Sequence, residues 1–323
     1  MAQSLFMSLK TSNPNCQIDV LAPAWSLPLL ERMPEVTKAI TMPLSHGQFG
    51  LTARFKLGRR LQAEHYDQAI ILPNSWKSAL IPFFANIPLR TGYIGECRWG
   101  LVNDARKLDK SKLNMTVQRF VALGLAKTAP LPPVFDFPKL PVNELGQQTV
   151  IEKFTLTPSS KILVLCPGAE YGPSKRWPAQ SFADVALAKI KQGWQVWLLG
   201  SDKDKASADL INQATEHQCQ DFIGRTSLIE AVDLISLADT VVANDSGLMH
   251  LAAAMAKKVI AIYGSTPPEF APPLCDKAHI VSLKLPCSPC RKRICPLYPI
   301  GHSSHTQCLT GIKPDRILEL IAD

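Results

Sequence analysis

Apolar residues in the second half of the chain fall in short unbroken runs, separated by stretches of helical spacing. Lys161–Cys166 reads Lys-Ile-Leu-Val-Leu-Cys, which has the length and continuity of a parallel strand buried on both faces. Gln195–Leu199, Asp221–Ile223, Thr240–Ala243 and Val259–Tyr263 predict further strands. Between them, Ser181–Gln192, Lys203–Thr215, Ser227–Leu237 and Ser246–Ala256 have the spacing of helices with one buried face. Strands alternating with helices predict a doubly wound parallel sheet.

The first half is similar but begins differently. Ala2–Leu9 predicts a helix ahead of the strands Gln17–Leu21 and Gln68–Leu72. A doubly wound domain ordinarily opens on a strand whose turn feeds the first helix. Between the halves, Ala129–Val142 carries five prolines in fourteen residues, which precludes a helix or a central strand and marks a stiff crossing. The expected domains are 1–140 and 141–323.

Composition narrows the class. At 323 residues the chain has length for two domains, and 46% apolar with 19% charged residues is globular rather than disordered. No run reaches the ~18 apolar residues of a spanning helix. The opening residues lack a basic segment followed by an apolar one, so neither a spanning nor an exported protein is expected. Charge is uneven: residues 1–150 hold 17 Lys and Arg against 10 Asp and Glu, whereas 151–323 hold 18 against 17. A basic half suits an anionic partner or a solvated face. No basic run is interleaved with stacking aromatics, so nucleic acid is not the expected partner.

Nine cysteines, an odd number, argue against a fully paired framework. Four cluster as Cys287-x2-Cys290-x4-Cys295-x12-Cys308, with His302 and His305 between the last two. The cluster fits either a structural zinc site or free thiols in a loop.

Ligands of open α/β sheets bind outside the carboxyl ends of the strands. Four predicted strand ends carry suitable residues. Pro167–Pro178 supplies Gly168 for close backbone approach, Ser174 as a hydrogen-bond donor and Lys175 as a charge for phosphate. Asn244-Asp-Ser-Gly-Leu-Met-His250 opens a helix whose N-terminal N–H groups favour an anion, with room left by Ser246 and Gly247. Asp245 is equally placed to cap that helix, and His250 to be a core histidine. Gly200-Ser-Asp202 ends another strand with a carboxylate suited to ribose hydroxyls, and Tyr263-Gly-Ser-Thr-Pro267 ends a fourth. Together they favour a nucleotide site.

These segments, with Pro267-Pro-Glu-Phe270, resemble the ADP-heptose–lipopolysaccharide heptosyltransferases. Ala22-Pro-Ala-Trp25, Arg32-Met-Pro-Glu35, Leu72-Pro-Asn-Ser-Trp-Lys-Ser-Ala79 and Arg90-Thr-Gly92 look like the heptosyltransferase II branch of that family. The resemblance implies two Rossmann-like domains of the glycosyltransferase-B fold facing a central cleft that holds the active site. It implies ADP-L-glycero-β-D-manno-heptose as donor and the first heptose of the Kdo-lipid A inner core as acceptor. No cofactor is required. Lys175 and Asp245 would act at the reacting centre. Gly168, Ser174, Lys175, Asp202, Asp245, Ser246, Gly247 and His250 would bind the donor. Arg54, Lys56, Arg59, Arg60 and Asn74 would meet the acceptor. The expected location is cytoplasmic, peripheral at the inner membrane surface.

One departure stands out. Family members begin with a strand and a Gly-Asp turn whose Asp is the expected base, and here that position would lie upstream of Met1. The resemblance without that residue also fits an ADP-sugar-binding protein with little turnover. The chain as given is therefore expected to be poorly soluble and nearly inactive.

Overall fold

The computed structural model describes residues 1–45 and 47–322. It divides into two compact units, Met1–Asp136 and Phe137–Asp323, and the division falls inside the proline-rich stretch.

Among the described residues unit 1 carries five strands: β1 (Asp19–Pro23), β2 (Lys38–Met42), β3 (Gln68–Ile71), β4 (Leu89–Tyr93) and β5 (Asp104–Arg106). They form two parallel sheets, β1–β2 and β3–β4–β5, rather than one continuous sheet. Among the described residues β1 pairs only with β2, and β3 only with β4. Apolar packing joins the two sheets. Ile40 of β2, Leu57 and Leu61 of the helix Leu51–Leu61, and Ile81, Ala85 and Ile87 form one buried cluster, with Leu21 of β1 and Ala69 of β3 against it. The helix Ala2–Ser12 packs on Thr116–Gly124, where Leu5 and Leu9 would collide with any side chain larger than that of Gly124.

Unit 2 carries β6 (Ile162–Cys166), β7 (Gln195–Leu198), β8 (Gln220–Asp221), β9 (Thr240–Asn244), β10 (Lys258–Ile262) and β11 (Ala278–Val281). All pair in parallel, in the order β8–β7–β6–β9–β10–β11. This is the doubly wound arrangement, and the winding reverses between β6 and β9. Every residue of β6 and β9 is buried, because helices cover both faces of the sheet. Trp177, Phe182, Leu163, Leu165, Val242 and Ile260 belong to that core. Ser227 caps the helix Leu228–Leu237 by accepting from the Glu230 N–H, while Glu230 accepts from the Ser227 N–H.

Most predicted elements of unit 2 are present, with boundaries moved by one or two residues. The predicted Lys203–Thr215 helix opens as a short 3-10 turn, Asp202–Asp204, before Lys205–Ala214. The predicted strand Asp221–Ile223 shrinks to Gln220–Asp221, an edge strand paired on one side.

Candidate active site

The reversal between β6 and β9 leaves a crevice at their carboxyl ends, and the sequence places polar residues there. Asn244, the last residue of β9, is fully buried. Its Oδ1 accepts from the Trp177 N–H at 3.0 Å and its Nδ2 donates to the Pro167 carbonyl at 2.7 Å. One side chain thus ties the loop after β6 to the end of β9. Trp177, in turn, is buried with its indole N–H on the Ile312 carbonyl at 3.0 Å.

That clamp brings Lys175 to Asp245. The Lys175 ammonium lies 2.5 Å from Asp245 Oδ2, and Thr266 Oγ1 donates to the same oxygen at 2.5 Å. Lys175 also stands 5.0 Å from the centre of the Tyr171 ring. The ammonium and carboxylate side chains are mostly buried. A negative ligand arriving here meets a cation already oriented, so little ordering remains to be done on binding.

Ser246 and Gly247 complete the crevice at the start of the helix Gly247–Ala254. Ser246 Oγ is buried and has no hydrogen-bond partner among the described residues. A Cβ built on Gly247 meets nothing within 4 Å, so the space above the helix N-terminus is open. An unpartnered buried hydroxyl beside free N–H groups is a ready position for an anion. One turn on, burial holds His250 down to about 4 from its ordinary 6.5, so its ring is neutral near pH 7.

Other expected residues have different partners. Ser174 is buried, with its hydroxyl donating to the Lys292 carbonyl at 2.5 Å and lying 3.0 Å from Ser265 Oγ. It positions the Lys175 turn from behind. Gly168 faces Asp204, whose carboxylate a Cβ there would strike. Asp204 is buried, accepts from both the N–H and hydroxyl of Ser201, and sits 3.6 Å from Arg176. Its signal in the sequence was the three-residue Ser-to-Asp spacing of a capping box. Asp202 is exposed and paired with Lys205 at 2.8 Å. Asn244 and Thr266 lay inside motifs already singled out, but their buried roles are set by partners far along the chain.

In unit 1, Arg54 is buried. Its guanidinium donates to the carbonyls of Phe49 at 2.7 Å and Lys77 at 3.1 Å, so it braces the Trp76 turn and presents no charge to solvent. Lys56, Arg59 and Arg60 are exposed on the helix Leu51–Leu61, and Asn74 is exposed after β3. Arg98, absent from the expected site residues, is buried and donates to the Pro73 and Tyr93 carbonyls, anchoring the loop that carries Asn74. Among carboxylates of this unit, Asp19 accepts from the Tyr66 hydroxyl at 2.5 Å, and Asp104 accepts from Arg106 at 2.8 Å and Thr91 at 2.9 Å.

All nine cysteines are free thiols. Cys287, Cys290, Cys295 and Cys308 line one pocket. Burial first, and then the other three cysteines, push the Cys308 thiol up to about 11.

A parallel sheet of this order, with polar residues gathered at its reversal, is the arrangement that nucleotide-binding α/β units share. Residues 54–300 match the model of glycosyltransferase family 9 (heptosyltransferase). The chain is 44% identical to lipopolysaccharide heptosyltransferase 2 of Salmonella typhimurium over 99% of its own length and 92% of the relative's. It is 48% identical to lipooligosaccharide heptosyltransferase 2 of Haemophilus influenzae over 88% of this chain and 84% of that one. The solved structure of Escherichia coli ADP-heptose lipopolysaccharide heptosyltransferase II superposes with a TM-score of 0.86 at 41% identity, over 99% of this chain and 93% of that chain. The chain belongs to glycosyltransferase family 9, the heptosyltransferases, and is an enzyme of that class. Among the described residues no helix is long and apolar enough to cross a membrane.

Proposed function

We propose that the enzyme transfers L-glycero-D-manno-heptose from ADP-heptose to the first heptose of the Kdo-lipid A inner core, with inversion. The observation that carries the donor assignment is the crevice in which Lys175, Asp245, Thr266, the unpartnered Ser246 hydroxyl and the open helix end at Gly247 converge. Lys175 and the helix N-terminus take the diphosphate. Thr266 holds Asp245 in place, and Asp245 orients Lys175 and faces the donor sugar. The neutral His250 lines the same helix and supplies a hydrogen bond without adding charge.

In the reaction the acceptor hydroxyl forms a bond to the anomeric carbon as the carbon–oxygen bond to ADP breaks. The departing diphosphate keeps the bonding electrons, and the hydroxyl proton passes to a base. Charge therefore grows on the diphosphate oxygen in the transition state, where an oriented Lys175 lowers the barrier. Asp19 and Asp104 are held by Tyr66 and by Arg106 with Thr91, respectively, and the unit 2 residues act on donor binding and on the leaving group.

The acceptor is anionic, and the exposed Lys56, Arg59, Arg60 and Asn74 of unit 1 are its contacts. Exposed Leu51, Phe55 and Arg59 share a helix face by four-residue spacing, and Phe49 lies 5.2 Å from exposed Trp76. Aromatic and basic groups side by side suit the cytoplasmic face of a membrane where a lipid-linked acceptor resides. The named heptosyltransferase 2 relatives favour turnover over ADP-sugar binding alone. Incubation with ADP-heptose and a heptosylated Kdo-lipid A acceptor tests this: ADP release that requires the acceptor supports the reading, and binding of ADP-heptose without release contradicts it.

A further inference from the structure

Residues 282–306 join β11 to the short helix Gln307–Thr310 with no helix or strand between them. Structureless connections of this length are uncommon in compact domains and are usually functional loops or linkers. Apolar burial does not hold this one: Ile294 is 55% exposed, Leu297 57% and Ile300 76%. Even so, the segment is docked on the donor crevice. The Ser174 N–H and hydroxyl donate to the carbonyls of Arg293 and Lys292, the Arg291 N–H donates to Ser265, and Ser288 Oγ donates to Gly264. The turns that present Lys175 and Thr266 thus rest on a segment lacking a core of its own.

Cys287, Cys290, Cys295 and Cys308 line one pocket, which Ser174 and Ser265 line as well. Arg291, Lys292 and Arg293 stand exposed between Cys290 and Cys295, positioned to offset the charge of several thiolates. The neighbouring histidines are engaged elsewhere: His305 Nδ1 lies 2.8 Å from the Tyr298 carbonyl, and His302 Nδ1 accepts from the Ser304 N–H. Among the described residues no three His, Cys, Asp or Glu groups are already gathered as a metal site, so four-thiolate coordination would draw the sulfurs inward from the pocket walls.

We infer that Cys287, Cys290, Cys295 and Cys308 bind one thiophilic divalent metal ion of the zinc type, which staples residues 282–306 beneath the donor crevice. Coordination involves no oxidation. Four S–H protons leave to solvent, and four metal–sulfur bonds replace metal–water bonds in a closed tetrahedral site.

The test uses the full chain purified under reducing conditions. Elemental analysis is expected to find about one thiophilic metal ion per chain. After chelation, all four thiols should react with an alkylating reagent, and added zinc should protect all four, as read by peptide mass. Cobalt(II) added to the metal-free chain should give the visible absorption of a tetrahedral thiolate complex. Cys290→Ser and Cys308→Ser should each lose that absorption, whereas Cys97→Ser, exposed in the other unit, should keep it. The zinc-protection assay on the unmutated chain stands even if a serine variant fails to fold. Absence of metal with alkylation unchanged by zinc would overturn the proposal, as would disulfides among these cysteines in the freshly purified protein or metal retained by both serine variants.

Discussion

Units 1 and 2 are both built from parallel strands, yet they bury them to different depths. Every residue of β6 and β9 is buried, whereas β1 and β5 have no buried residue. The depth sets what each unit can hold still. In unit 2 a fully buried Asn244 locks two loops and delivers Lys175 to Asp245 within a 2.5 Å contact. In unit 1 the expected contact residues Lys56, Arg59, Arg60 and Asn74 ride on exposed surface, whereas Arg54 and Arg98 are buried and fixed, as braces. A preorganised crevice suits stabilisation of a small charged leaving group, while an adaptable basic face suits a large anionic acceptor.

The largest expected effects test this difference through stability. Leu165→Ala in β6 empties a site with no exposure and should destabilise unit 2 by about 2–5 kcal/mol. Leu21→Ala in β1 removes a half-buried side chain and should cost unit 1 less than about 1.5 kcal/mol. Hydrogen exchange read by mass spectrometry reports each unit separately; equal losses would erase the distinction.

The same difference decided what could be read in the sequence. Ile162–Cys166 and Thr240–Asn244 were legible because a strand buried on both faces needs an unbroken apolar run. Lys38–Met42, Leu89–Tyr93 and Asp104–Arg106 carry charges on half-exposed strands and gave no such run. The crevice residues Lys175, Asp245, Ser246 and Gly247 were legible because strand ends and helix starts are local features. The bracing of Ser174 was not, because its partners Ser265 and Lys292 lie 91 and 118 residues away. Arg54 read as a surface cation because the helix as a whole is basic, although helical spacing sets it beside Leu57, Gly58 and Leu61 on the buried face, where its guanidinium turns onto carbonyls.

A second test uses pH. An unfolded His250 takes a proton near 6.5, but the buried one does so only near 4. Between those values the unfolded chain binds more protons, so stability falls as pH falls from 6.5 to 4, by up to ~3 kcal/mol, and this group adds no slope above about 7. Melting temperatures of the unmutated chain and His250→Gln across that range should converge toward pH 4. Parallel curves would show that His250 is not the titrating group.

Smaller effects are expected on the exposed face. Arg59→Ala and Lys56→Ala should each raise the acceptor KM by less than about tenfold with kcat nearly unchanged, since exposed ion pairs contribute ~1 kcal/mol or less. A collapse of kcat in either variant would place that cation at the reacting centre and break the division between the units.

The central claim is that the diphosphate sits against Lys175 and the Ser246–Gly247 helix end. Titration calorimetry of ADP with Lys175→Ala measures it directly. Loss of a charge-assisted contact worth ~1.5–3 kcal/mol should raise the dissociation constant by roughly one to two orders of magnitude, while Lys56→Ala leaves it unchanged. An ADP affinity in Lys175→Ala equal to that of the unmutated chain would contradict the account.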